Sequence, residues 1–557
     1  MKIARDTLIP LVLFLTVLVT GVLLSPRIGP FWDEPDNIYS AGVYFSFFRQ
    51  GFDQQLLLSK SKNISIFADR ILTQENSIER YPPLPNYLGA GLAVLAEHLG
   101  YTLRARELII VFHWASSLFF ALLVVTVYAW SRLIGLSNFL SGFTALTAYL
   151  LPTLFGYGYS DLKDIAQVSL FTASLYFLVQ GTLKAKTRLL VLGALIWGLA
   201  LATKFNAVYI PLIWGFWLVL ITWQRAAKRN FSGLLRLLGQ LLVKISLVVC
   251  LGLVAMVVVW PYLWVDTLAR LVKVIAYFTT IGRGYHVFFQ GQIYTVGLDA
   301  SLWWYPLINL LFTTPLPLLL LMALGKLTLL GILLRAFFRP KSWSRSQTSF
   351  LMLAIWLVVP VSRIFLPGSA FYDGIRHFLE ILPPLLIMAS LGLATLAGWL
   401  SRLLKLGKQA LIIQILALAL VVYLVGINFS YFPYSVGYLN LLAASPNQNF
   451  DRDVEGISVK EAIDWLHANY GAVKVWIPIN AHQTWYYLTR EDEDMASQTQ
   501  NSDYIILINK GSHARRWEFE QDPLLQNFTL LHTITRGQAI FGWIYGRRTL
   551  PIDQLTN

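Results

Sequence analysis

Phe31-Trp32-Asp33-Glu34-Pro35-Asp36-Asn37 follows a few residues after the first hydrophobic run, near 7–25. A pair of carboxylates at the water edge of a bilayer-length segment reads in two ways. Acidic residues suit the start of a helix, where backbone N–H groups and the dipole favour them, and Pro35 suits its first turn. The same pair can serve as general base or metal ligand, with partial desolvation raising its pKa towards a useful range. Which reading holds depends on what else lies on that side of the membrane, and so on topology.

The 557 residues are 56% hydrophobic and only 13% charged, and the mean hydropathy is +0.57. Soluble domains carry roughly 25% charged residues. Apolar runs recur at about the ~20 residues a helix needs to cross hydrocarbon, about eleven in all. They lie near 7–25, 107–130, 138–156, 165–182, 188–203, 205–222, 240–260, 307–334, 348–366, 378–400 and 410–430. The chain reads as a polytopic, mainly α membrane protein. Its net charge of +14 collects in short loops between the runs, a positive-inside pattern and not a nucleic-acid stripe. Those loops hold Arg132; Lys184, Lys186 and Arg188; Arg225, Lys228, Arg229 and Arg236; Arg335, Arg339, Lys341 and Arg345; and Arg402, Lys405 and Lys408. They set the orientation, with an uncleaved first helix and a cytoplasmic N-terminus. The single cysteine, Cys250, lies in an apolar run, so no disulfide framework or Cys-based zinc site can form.

Three outer segments are long. The first, about 26–106, carries a helix signal from Pro35 to about Arg49 and an apolar stretch from Pro85 to His98 after Tyr81-Pro82-Pro83-Leu84. Both are too short to cross and amphipathic enough to lie at the interface. The second runs from Pro261 to about Pro306. After a membrane domain over 1–430, residues 431–557 turn polar and mixed and read as a small extracytoplasmic α/β domain. Ser458 and Glu461 have capping-box spacing, and strand-like runs follow at Val473–Ile479, Tyr504–Ile508 and Phe528–Tyr545.

This topology collects the charged clusters on the outer face: Asp33, Glu34 and Asp36; Asp161, Lys163 and Asp164; Lys204; Arg283 and His286; and Asp373, Arg376 and His377. Carboxylates beside Lys and Arg at one membrane surface suit group transfer from a lipid-linked phosphate, the cations holding the phosphate and a carboxylate serving as base. Lys204 is the most telling, since a cation there opposes the topology bias. Asp33 and Asp164 are the candidates should a divalent cation be bound. The histidines His98, His113, His286 and His377 lack metal-site spacing. Taken singly, each cluster also has an ordinary reading as a helix start, a solvated turn or an interfacial anchor.

The ordered set resembles the GT-C fold polyprenyl-phosphate-sugar glycosyltransferases, in particular the protein O-mannosyltransferase-like group (glycosyltransferase family 39-like) that includes the lipid A aminoarabinose transferases. The resemblance spans nearly the whole chain. It rests on Trp32-Asp33-Glu34, Tyr81-Pro82-Pro83-Leu84, Lys163-Asp164, Ala202-Thr203-Lys204-Phe205-Asn206-Ala207, Thr313-Thr314-Pro315, Tyr372-Asp373-Gly374-Ile375-Arg376-His377 and Pro433 with Tyr438-Leu439-Asn440. It implies a GT-C membrane domain and transfer of a sugar, mannose or related, from a polyprenyl-phosphate carrier to a protein, lipid or glycan acceptor outside. Asp33 would be the catalytic carboxylate and Glu34 its support. Lys163 and Asp164 would sit beside the donor phosphate or a metal, and Lys204, Arg283, His286, Asp373, Arg376 and His377 extend the donor-binding set. Tyr81 stands where relatives carry His, and Asp161-Leu162-Lys163-Asp164 replaces the more usual Asn-Pro-Lys-Asp.

Three other classes fit the sequence less well. A secondary transporter or flippase would place its ionisable groups near the bilayer midplane and often show repeats, and neither is visible. A polysaccharide polymerase or ligase usually carries its main loop late in the chain. A non-catalytic scaffold leaves the clustered charges without a purpose.

Overall fold

The computed structural model describes residues 2–58, 65–67, 82–226, 231–298, 300–338, 343–366, 369–405, 407–477, 493–494, 502–510 and 525–548. The chain opens with α1 (Lys2–Leu24), α2 (Glu34–Arg49), the short α3 (Gln54–Leu58) and α4 (Leu84–His98). α5 (Ala105–Leu133), α6 (Asn138–Leu150), α7 (Pro152–Ser160), α8 (Leu162–Leu183), α9 (Thr187–Leu201), α10 (Tyr209–Ala226) and α11 (Phe231–Val259) follow. Next come α12 (Thr267–Thr280), a hairpin of β1 (His286–Phe289) and β2 (Gln292–Thr295), and α13 (Tyr305–Thr313). α14 (Leu316–Phe337), α15 (Arg345–Ser362), α16 (Leu382–Leu403) and α17 (Gln409–Tyr431) complete the bundle.

Among the described residues nine helices are long and apolar enough to span a bilayer, and the bent pair α6–α7 makes a tenth. With α9, of 15 residues, they match the eleven hydrophobic runs one for one. This is an integral, multi-pass membrane protein. Two of the expected runs break at prolines. Leu151, ahead of Pro152, is driven out of helical geometry, and α6 and α7 meet at 63°. The run expected at 307–334 breaks at an extended Thr314 before Pro315, leaving α13 outside the span. α5, α8 and α16 form the buried centre of the bundle, and α1, α11 and α17 its lipid-exposed rim. α14 and α16 touch backbone to backbone. A methyl on Gly325 would lie 1.7 Å from the Met388 carbonyl oxygen, and one on Gly392 2.1 Å from that of Leu321.

The two helices of the first loop form where expected, but α2 does not lie at an interface. It is buried nearly all round, whereas α4 buries one face and exposes Leu95. Asn86 donates to Ser40 Oγ at 2.9 Å and ties the two together. Buried polar contacts of this kind outweigh the weak amphipathic pattern that suggested the surface.

Beyond α17 lie α18 (Pro446–Asn449), α19 (Val459–Tyr470) and a five-stranded sheet in the order β4-β3-β5-β7-β6. Its strands are β3 (Lys474–Trp476), β4 (Glu493–Asp494), β5 (Tyr504–Ile508), β6 (Phe528–Arg536) and β7 (Ala539–Arg547). β3 runs parallel to β4 and β5, while β7 is antiparallel to β5 and β6. The long run at 528–545 is thus a hairpin, turned where Gly537 takes φ +58°. Residues 478–479 of the strand-like run at 473–479 lie outside the described residues. The capping box at Ser458 does not form: Ser458 donates to the Phe541 carbonyl, and Glu461 is drawn to Arg536. Asp453 takes over that duty, accepting from the N–H groups of Ile457 and Ser458 at 2.9 Å. One apolar core runs unbroken from the bundle into α19 and the sheet.

Candidate active site

Local folding explains why charged side chains meet at one end of the bundle. Asp161 caps α8, accepting from Lys163 N at 3.0 Å and Asp164 N at 3.1 Å, so the first turn presents Lys163 and Asp164. Asp33 occupies the N-cap position of α2 but makes no capping bond. Its Oδ2 instead accepts from Lys163 Nζ at 3.2 Å and Arg376 Nη2 at 2.5 Å. Glu34 instead folds back on the segment ahead of the helix, accepting from Phe31 N at 3.1 Å and pairing with His113 Nε2 at 3.1 Å. The two acids of the opening motif therefore have separate duties.

Arg376 is the hub. Besides Asp33, its guanidinium donates to Asp164 at 3.1 Å, to Asp373 at 3.2 Å and to Glu455 at 3.4 Å. Asp164 also receives Lys204, which the extended residue after α9 swings inward. Asp373 sits in a left-handed turn, φ +50°, followed by Gly374 at +66°. That turn brings it within 3.6 Å of Lys510, whose ammonium lies 4.2 Å over the Trp32 ring. Burial opposes ionisation of Asp33, yet Lys163 and Arg376 together hold its carboxyl well below the usual carboxylate range. Burial pushes the Lys204 ammonium down despite Asp164, and pushes the Glu455 carboxyl well up despite Arg376.

These groups border a half-enclosed cavity of about 710 Å³. Its described lining holds five cations, Lys163, Lys204, Arg283, Arg363 and Arg376, against three carboxylates, Asp33, Asp36 and Asp373. Asp164, Glu380 and Glu455 behind the wall pair with Lys204, Arg363 and Arg376, so the cavity offers an anion several charged donors and not a large net charge. Its other wall is aromatic and apolar, with Phe205 stacked on Phe278 at 5.6 Å beside Tyr277.

Of the sequence candidates, Asp33, Lys163, Lys204, Arg283, Asp373, Arg376 and His377 line this cavity. The His377 Nε2 atom is buried without a hydrogen-bond partner. Asp164 stands behind the wall and anchors Lys204 and Arg376. Glu34 faces His113, away from the cavity. His286 is exposed on β1 beside Thr295 and does not reach the cavity either, because the hairpin register points it outward. Tyr81 lies outside the described residues.

Sequence reasoning passed over Arg363, Glu455 and Lys510. Arg363 lies 3.6 Å over the Phe378 ring and pairs with fully buried Glu380 at 3.4 Å. As a cation at the site end of a span it carries the same signal that singled out Lys204. Glu455 and Lys510 arrive from beyond α17 and give no such signal.

A divalent cation does not fit Asp33 and Asp164. Arg376 bridges them, and Lys163 and Lys204 take further oxygens, so a metal would add positive charge where cations already balance the carboxylates. Among the described residues no three His, Cys, Asp or Glu side chains are grouped to hold a metal.

Fold and site define a polytopic helical membrane protein with a cation-lined cavity and an ion-paired carboxylate at one end of its bundle. No protein-family model matches the chain, and no curated protein does. Solved structures similar to it include ArnT from Cupriavidus metallidurans in the apo state, 15% identical over 96% of this chain and 97% of that one, with a TM-score of 0.48. The same protein bound to undecaprenyl phosphate is 15% identical over 96% and 97%, with a TM-score of 0.45. The archaeal oligosaccharyltransferase AglB from Archaeoglobus fulgidus, in complex with an inhibitory peptide and a dolichol-phosphate, is 12% identical over 97% of this chain and 75% of that one, with a TM-score of 0.45.

Proposed function

We propose that this protein is a membrane glycosyltransferase of GT-C type that moves a sugar, mannose or a related one, from a polyprenyl-phosphate carrier to an acceptor on the extracytoplasmic face. The observation that carries the reading is Asp33, a carboxylate held by two of the cations that line a cavity at the end of a membrane bundle. The basic loops cluster at the opposite end, and the positive-inside rule supports an outer position for the cavity.

The chemistry follows from the charges. An acceptor hydroxyl or amine attacks the anomeric carbon and passes its proton to Asp33, while the bond from that carbon to the phosphate oxygen breaks. The carrier leaves as a phosphate monoester, so negative charge grows on the phosphate during reaction. Lys163, Lys204, Arg363 and Arg376 stabilise that growth more than they stabilise the bound donor. Attack from the face opposite the phosphate inverts the anomeric centre. Asp33 is a weak base while Lys163 and Arg376 hold it. A donor phosphate draws on the same two cations and restores its basicity. The aromatic wall at Phe205, Tyr277 and Phe278 suits the first units of the carrier. The domain from 431 to 557 contributes Glu455 and Lys510 to the site instead of standing apart from it.

The test is transfer of radiolabelled sugar from a panel of polyprenyl-phosphate sugars by purified protein in lipid, wild type against Asp33→Asn. Loss of a general base costs roughly 10²–10⁴ in turnover, with donor binding retained. No donor bound or turned over by the wild type would refute the reading.

A further inference from the structure

A second cavity, of about 580 Å³, lies at the opposite end of the bundle between α1, α5, α8 and the start of α15. From Lys163 to Gln180 along α8 is about 25 Å at ~1.5 Å per residue, so it has no part in the site above. Its polar lining is Tyr128, Arg132, Tyr176, Gln180, Arg345 and Ser346, and no described lining residue is acidic. Gln180 is 7% exposed. Its amide nitrogen donates to the Tyr176 hydroxyl at 3.2 Å, while its carbonyl oxygen is buried with no hydrogen-bond partner. Arg132 donates to the Leu136 carbonyl and so stands fixed at the end of α5. Arg345 lies in the first turn of α15, just after a capping box formed by Ser344 and Gln347.

The positive-inside rule accounts for two arginines at this end. It does not account for a cavity between spans, nor for a buried acceptor left unmet, which is costly and rare. α1 supplies Pro10 to the lining and exposes Leu8, Leu11, Val12 and Leu15 on its outer surface, so the cavity opens beside a lipid-facing helix. Two cations and one unmet acceptor, at bilayer depth beside acyl chains, match one kind of ligand.

We propose that this cavity binds the head group of a membrane phospholipid, with its phosphodiester on Arg132 and Arg345 and a hydroxyl or ammonium donor on Gln180 Oε1. Glycerol and ethanolamine head groups both supply such a donor, and choline does not. The inference is independent of the glycosyltransferase reading, since it concerns the other end of the molecule.

Native mass spectrometry of the full chain tests it, with phosphatidylglycerol, phosphatidylethanolamine or phosphatidylcholine added in turn to wild type, Arg345→Gln and Gln180→Leu. The wild type should retain the glycerol or the ethanolamine lipid roughly tenfold more tightly than the choline lipid, the scale of one lost charge-assisted or buried hydrogen bond. Gln180→Leu should lose that preference, and Arg345→Gln should retain all three lipids more weakly. Arg345 is exposed, so Arg345→Gln keeps the test open even if Gln180→Leu does not fold. Equal retention of all three lipids by the wild type, or lipid retention unchanged in Arg345→Gln, would overturn the proposal.

Discussion

Arg376→Met removes the one group that bonds carboxylates from four places in the chain: Asp33 ahead of α2, Asp164 in α8, Asp373 in its own turn, and Glu455 ahead of α19. Asp164 and Glu455 are each 1% exposed, so water cannot replace the guanidinium. Breaking a buried pair from one side costs about 3–5 kcal/mol. Lys204, Lys163 and Lys510 still face Asp164, Asp33 and Asp373 after the change. The lower end, about 3 kcal/mol, is therefore the expected loss. Arg376→Lys keeps the charge but offers its donors from a single point, and the four carboxylates surround a planar fork, so it should recover part of the stability and little of the transfer activity. The assay is denaturant unfolding in detergent alongside the transfer reaction. Adding Glu455→Gln to Arg376→Met should return about 1 kcal/mol, since it removes a buried carboxylate that has lost its cation, a coupling of the size contacting residues show. Wild-type stability in Arg376→Met, untouched by Glu455→Gln, would mean that the hub does not hold these segments together.

Lys204→Met should weaken donor binding by roughly 10–100-fold, the worth of one charge-assisted hydrogen bond, measured as donor Kd. Glu34→Gln keeps an acceptor for Phe31 N and should reduce turnover far less than Asp33→Asn; equal losses in the transfer assay would contradict the separate duties of the pair. Stability should depend on pH in two opposed ways. Asp33, held below its ordinary 3.8, contributes stability that is present above that value and lost as pH falls through its folded pKa, and Asp33→Asn should flatten that acid limb. Glu455, raised above its ordinary 4.5, holds its proton more tightly when folded, so stability declines as pH rises from that value through its folded pKa. Unfolding free energies of Glu455→Gln across pH should lack that decline.

The membrane architecture was legible because its causes are local. A run of ~20 apolar residues is a span wherever it occurs, and all eleven runs are helical in the structure. Proline marks the two places where the simple reading fails, and Pro152 and Pro315 could each have been used to foresee a break. α2 was harder. Its sequence has little amphipathic contrast, and its burial comes from neighbours such as Asn86 and Phe67 that periodicity does not weigh.

The site was legible in proportion to how far each residue breaks a rule of its surroundings. Lys204 opposes the charge bias of the topology, and it lines the cavity; Arg363 opposes the same bias and lines it too. Asp33 breaks a different rule, since an acid at an N-cap position normally bonds the helix backbone, and this one turns to Lys163 and Arg376 instead. Leaving a good cap unmade has a cost in stability, and the return is a carboxylate aimed at two cations beside a cavity. Glu455 and Lys510 break no local rule. They enter the site only because the segments before α19 and after β5 fold back onto the mouth of the bundle, a contact between residues 79 apart in the case of Arg376 and Glu455. Proximity of that kind belongs to the tertiary fold. The part of the site that needs the whole chain is also the part that couples the C-terminal sheet to Arg376, so a lesion in the sheet should be felt at the cavity first through Glu455.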